Sequence, residues 1–326
     1  MYNVLIDPLS LVLSAKYLNA KNFHTYLDDL IDTNELSEYD FLNPLILEET
    51  FSLMYGNDGY LDVYEIEKWL GEFNLDYKYT PNDIIMAVQS IMKFAVIENE
   101  FQVEKISLNN LKELDENNEV LGEAYKNENF LRYSLSKLLN GETYLKGKID
   151  VYLKCTGAIT HLEVNKHFIN GAYKIEESLK AFPSIHQILM DIDIYRLWKI
   201  CNQESEFVKL IEIYFKKITS EKEKNTWKLG IAFFENFKKH GFYIEDKKIK
   251  NLLKAMFKVV YKESIRDSHK LRSSASGGAP QIEGRLGKAW RIDIDYEYHL
   301  HYWINQNHVV FAWVGTHNEF YIPDEF

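Results

Sequence analysis

A chain of 326 residues with 38 Lys and Arg against 49 Asp and Glu carries a formal charge of −11, and 46% of it is apolar. That composition excludes a disordered chain, and the length implies more than one hydrophobic core. The charge is uneven: residues 1–208 have 18 basic and 34 acidic groups, 209–291 have 20 and 9, and 292–326 have six acids and no Lys or Arg. A basic block inside an acidic protein is the electrostatic footprint of a polyanion-binding surface.

The amino terminus, Met1 to Pro8, lacks a basic n-region, and Asp7 and Pro8 interrupt its apolar run, so no secretory leader is expected. The apolar-rich stretch from Ile185 to Trp198 is cut by Asp191, Asp193 and Arg196, too soon for a bilayer span. Cys155 and Cys201 have neither CxxC spacing nor a His-rich companion. A disulfide scaffold and a zinc site are therefore not expected, and a cytoplasmic location fits best.

Helical spacing of apolar residues recurs over Leu9–Leu18, Phe23–Ile31, Glu48–Met54, Val63–Phe73 and Asp83–Ile97, and Pro81-Asn82-Asp83 forms a helix start. These patterns predict a helical domain over residues 1–140. Within it, Met54 to Glu65 places Gly59, Leu61 and Glu65 at the sixth, eighth and twelfth positions of a calcium loop. Met54 and Gly56 occupy two oxygen-ligand positions, so the segment reads as an Asn-Asp-Gly turn between helices.

Residues 147–168 switch to alternation. A hairpin is predicted from Lys148–Cys155, a Thr156-Gly157 turn and Ala158–Val164, which puts Asp150 on one strand and Glu163 on the next. With Lys166 just beyond, this resembles a worn D…(D/E)xK metal-dependent nuclease pattern, in which Asn165 stands where that family has its lysine. Helical spacing returns from Leu179 through Lys262, giving a hairpin-plus-helix domain over 141–245. The last helix, about Asp246 to Ser264, sets Leu252, Leu253, Met256, Phe257 and Val260 on one side and lysines on the others.

A third domain is predicted over 246–326. After the breaker-rich loop Ser273–Pro280, three short strands follow: Ala289–Ile294, Tyr298–Ile304 and His308–Gly315, with Asn305-Gln306-Asn307 as the second turn. Alternation puts Tyr298, Leu300, Tyr302 and Ile304 on one face, to pack on the helix, and His299, His301 and Trp303 outward on the other. Four of the ten histidines, His299, His301, His308 and His317, lie within these nineteen residues.

Helix, Gly-containing loop, Lys288-Ala289-Trp290-Arg291, Glu297 to Trp303 and Val314 to Tyr321 together resemble the RelE/ParE superfamily of toxins, most closely its YoeB-like branch, over about 75 residues. His299-Leu300-His301-Tyr302 matches the basic residue, Leu, any residue, Tyr of the family's middle strand, with His for the usual Arg, and His317 falls at the spacing of a terminal catalytic His. Asn318 replaces the neighbouring Tyr, although Tyr321 lies near.

The resemblance implies a RelE-like domain of helix plus antiparallel meander in an α+β chain. It also implies metal-free cleavage of mRNA, often bound to the ribosome, by attack of the 2′-hydroxyl on the adjacent phosphate, without a cofactor. The chemistry asks for a base, a cation and an acid. The roles implied are His317 as acid, Arg291 or Arg285 as phosphate-stabilising cation, His299 as base or second cation, and Glu283 near the family's carboxylate base. Arg285, Lys288, Lys270, Arg272, His301, Trp303 and Tyr321 would contact RNA. A toxin or phage-defence setting, with an antitoxin or another defence protein as partner, follows from the same resemblance. Two alternatives stand beside this reading: a non-catalytic module binding nucleic acid or protein, and a metal-dependent nuclease using Asp150 and Glu163.

Overall fold

In the computed structural model, Tyr2–Ile6 forms a strand, β1, with all five residues buried. The structure describes residues 2–6, 11, 19–47, 62–94, 96–98, 143–147, 151–164, 167–219, 224–263, 267–276 and 278–324. They divide into two units, Met1–Asp191 and Ile192–Phe326, each with helices and sheet, so the chain is mixed α and β. Strands on both sides of residue 140 belong to one sheet of the first unit. Among the described residues no helix is long and apolar enough to cross a membrane.

In the first unit β1 pairs in parallel with β2 (Leu42–Leu47) and β4 (Thr143–Lys146), while β3 (Val96–Glu98) joins β2 and β7 (Ala181–Phe182) joins β4. The order is β3-β2-β1-β4-β7. This sheet adds parallel strands that the expectation of a helical domain over 1–140 did not include. A parallel strand buried on both faces is a short apolar run without alternation, and such a run cannot be told from a piece of helix by period alone.

Three helices of the unit match the expected patterns. In α1 (Ala20–Asn34), Phe23, Tyr26, Leu27 and Leu30 form the buried stripe. Asp62 caps α2 (Val63–Glu72) by accepting from the Tyr64 and Glu65 amides. Thr80 and Asp83 cap each other at the start of α3 (Pro81–Phe94). The chain enters β3 at Val96, so α3 stops short of the expected Ile97. The expected helices at Leu9–Leu18 and Glu48–Met54 lie outside the described residues apart from Leu11, as does the calcium-loop segment up to residue 61.

Lys146, at the end of β4, is fully buried. Its Nζ lies 3.0 Å from Asp32 Oδ2, 3.0 Å from the Pro183 carbonyl and 3.9 Å from Asp29 Oδ1. Asp32 also accepts from the Ile185 amide at the start of α4 (Ile185–Asp191), so one network ties β4, α1 and α4 together.

The predicted hairpin exists but its turn moves. Val151–Val164 is one strand, β5, paired antiparallel with β6 (His167–Leu179), and Thr156 and Gly157 sit mid-strand opposite Lys174 and Tyr173. The ladder from Val151 to Val164 pairs more backbone groups than the two shorter strands of a turn at Thr156-Gly157 could. Glu163 therefore lies on the same strand as Val151, opposite Phe168. Asp150 itself lies outside the described residues.

The second unit opens with α5 (Ile194–Ile200) and α6 (Glu204–Ile218), followed by β8 (Thr226–Leu229), α7 (Phe233–Lys239) and α8 (Asp246–Val260). Trp198, Phe207 and Phe237 pack ring to ring, with centroids 4.7–5.6 Å apart, and the Trp198 indole donates to the Phe242 carbonyl. On α8, Ile249, Leu252, Leu253, Met256, Phe257 and Val260 are buried, as the pattern requires, while Lys247, Lys250 and Lys254 are exposed.

The meander is present as β11 (Gly287–Asp293), β12 (Tyr298–Asn305) and β13 (His308–Thr316), with the turn at Gln306-Asn307. It is extended beyond the prediction. β9 (Ser268–Lys270) and β10 (Glu283–Gly284) pair antiparallel with the outer edge of β11, and β8 pairs in parallel with β13.

Candidate active site

The middle strand sorts its side chains as alternation predicts, but both faces are covered. Leu300 and Tyr302 lie on the face opposite the histidines, paired with Val314 and Phe311. His299, His301 and Trp303 share the other face with Ala289 and Arg291, and they are only 2%, 0% and 1% exposed. The expectation that they face outward is corrected by the segment after β13, which folds back over them. Trp303 Nε1 donates to the Pro323 carbonyl at 2.8 Å, and His301 Nδ1 lies 2.9 Å from the Tyr321 carbonyl. Ile322 packs in a small core with Trp303, Ala289, Leu286 and Leu271. Asp324 closes the segment by accepting from the Arg285 and Leu286 amides at 2.9 and 3.1 Å.

At the β9 edge of this face the surface opens into a cleft of about 630 Å³. Its walls come from β9 (His269 and Lys270), Arg272, β11 (Trp290 and Arg291) and the start of the terminal segment (His317, Asn318 and Phe320). Among the described residues three fixed cations and two imidazoles line it, and no carboxylate does. Arg291 Nε and Trp290 Nε1 are buried without a hydrogen-bond partner. Such a cavity attracts an anion: guanidinium forks match phosphate oxygens, and aromatic faces accept a base.

Behind the cleft wall lies a chain of three imidazoles. The His299 ring is 4.7 Å from that of His317 and 6.4 Å from that of His301, centroid to centroid. His299 Nε2 is 2.9 Å from Asp293 Oδ1. Burial pushes the His299 imidazole below its ordinary range, the Arg291 charge adds to the effect, and Asp293 opposes it. Burial pushes His301 down to about 4, so at neutral pH it is an uncharged ring whose Nδ1–H donates to Tyr321.

Of the residues singled out in the sequence, His317, Arg291, Lys270 and Arg272 meet in the cleft. The others do not line it. Glu283 is held by Lys288 at 3.3 Å on the β10–β11 pair, toward the far end of β11 from Arg291. Arg285 bonds the terminal segment through the Asp324 carbonyl at 3.2 Å. His299, His301 and Trp303 are inside, so none can lie against a nucleotide. Tyr321 is exposed and stacks edge-on against Trp313, 5.1 Å between centroids.

One cleft residue escaped the sequence reading. His269 is exposed on a three-residue strand too short for alternation to register, and only the pairing of β9 with β11 brings it opposite Arg291. Among the described residues no group of three or more His, Cys, Asp or Glu side chains is placed to hold a metal ion. Comparison with known proteins finds no matching family model, no matching curated protein and no matching solved structure.

Proposed function

We propose that the second unit is a RelE/YoeB-like, metal-independent endoribonuclease that binds the RNA backbone in the cleft between β9 and the terminal segment. The observation that carries this reading is the meeting of Arg291 and His317 in one open cationic cleft. In the reaction the ribose 2′ oxygen attacks the adjacent phosphorus. Arg291 stabilises the charge that gathers on the phosphorane oxygens, Lys270 and Arg272 hold the flanking phosphates, and His317 protonates the departing 5′ oxygen. His299 acts from behind His317 as a positioning residue. The toxin or phage-defence setting, and an antitoxin or defence protein as partner, rest on the sequence resemblance alone.

Binding of nucleic acid without cleavage is the second reading, and one observation favours it: Glu283 is paired with Lys288 away from the cleft, so the carboxylate that the resemblance offers as base is out of place. The two separate on incubation of the purified chain and its His317→Ala variant with labelled mRNA in EDTA, with and without ribosomes. Products with 2′,3′-cyclic or 3′-phosphate ends, formed by the natural chain and not by the variant, are expected. Intact RNA in every lane, with RNA retained by the folded protein, would leave only the binding role.

A further inference from the structure

We propose that His269 is the general base of this cleft, paired with His317 as the acid; the inference rests on the ribonuclease reading above and supplies the group that reading lacks. A base must touch the 2′-hydroxyl, and this excludes the other two nearby candidates. Glu283 is bound to Lys288 outside the cleft, and His299 is 2% exposed with Nε2 held at 2.9 Å by Asp293. His269 meets the requirement. It is exposed, it lines the same cleft as His317, and its Cα is the register partner of Arg291, so an imidazole and the phosphate-binding guanidinium come from directly opposed positions of paired strands.

The charged groups around His269 suit a bound anion. Lys270 and Arg272 follow it in sequence, Arg291 faces it from β11, and His317 approaches from the terminal segment. Asp267, two residues before it, is bonded to Lys258 of α8.

The step balances without any further reactant. The neutral imidazole of His269 takes the 2′-hydroxyl proton as the O2′–P bond forms. The P–O5′ bond breaks as the imidazolium of His317 gives its proton to the leaving oxygen. A 2′,3′-cyclic phosphate and a 5′-hydroxyl result, and the two histidines exchange their protonation states, which solvent restores.

The test uses the full chain labelled with ¹⁵N in its histidine rings, assigned with His269→Gln and His317→Gln, and titrated with uridine 3′-monophosphate in EDTA. The His269 and His317 ring signals are expected to move together with one apparent Kd, and Arg291→Ala is expected to abolish both movements. Single-turnover RNA cleavage from pH 5 to 9 completes the test. His269→Gln should lower the rate about 10²- to 10⁴-fold and remove the acid limb of the pH profile, while His317→Ala removes the alkaline limb. Movement of His317 alone, or natural-level cleavage by His269→Gln, overturns the assignment of His269 and leaves the ribonuclease reading standing. Joint movement of both signals with no cleavage by the natural chain overturns the base role and the ribonuclease reading together, leaving a binding cleft.

Discussion

His299 and Asp293 face each other across the β11–β12 pair, with Nε2 and Oδ1 2.9 Å apart, one side chain 2% exposed and the other 61%. The contact joins the surface to a buried imidazole that lies directly behind the exposed His317. It also sets Nε2 as the nitrogen of His299 that meets the carboxylate.

Acid should loosen the second unit. His299 and His301 both titrate lower in the folded chain than the ordinary imidazole value of 6.5, His301 falling to about 4. The folded state then holds fewer protons than the unfolded one, so the stability they support is complete above about pH 6.5 and is lost as pH falls toward 4. For the fully buried His301 the shift corresponds to about 3 kcal/mol. The urea midpoint is expected to drop between pH 7 and pH 4.5, and to drop less in His301→Gln, which keeps a donor for Tyr321 but has no proton to gain. An equal drop in both proteins would contradict the assignment.

Arg291 carries the phosphate in the proposed chemistry. Arg291→Ala should reduce single-turnover cleavage by about 10²- to 10³-fold. Arg291→Lys should restore only part of it, because an ammonium presents no planar fork. Circular dichroism of both variants should match the natural chain, since Arg291 Nε has no hydrogen-bond partner to lose.

Gly287 begins β11 with φ of +119°, and a Cβ there would lie 2.3 Å from the Ile304 carbonyl oxygen. Gly287→Ala must displace the β11–β12 pairing at its start. A loss of at least about 2 kcal/mol is expected, seen as a lower Tm, whereas Gly278→Ala, with open space around it, should melt like the natural chain.

In the first unit, Lys146→Met should cost about 3 kcal/mol or more, because it strips the cation from Asp32 and Asp29 and leaves their carboxylates facing an apolar group. Adding Asp32→Leu to that variant should recover part of the loss. Urea unfolding followed by far-UV circular dichroism reads both steps.

What local pattern could determine, it did. Period-two alternation and the Asn305-Gln306-Asn307 turn located β11 to β13, and the spacing of Leu252, Leu253, Met256, Phe257 and Val260 located α8, because each element's buried face repeats along its own few residues. The same alternation placed His299, His301 and Trp303 on one face. It could not say that residues 321–324 cover that face, since a strand reads alike whether its second face meets water or a returning chain.

Tertiary structure alone decided the rest. The parallel sheet joins Tyr2 to Leu42 and Asn3 to Thr143, partners set by burial on both faces rather than by any period in the residues. The cleft exists because His269 pairs opposite Arg291 while His317 arrives from the far side of the sheet. Contacts between residues so far apart in the chain depend on how whole elements pack, and packing leaves no mark in the spacing of neighbours.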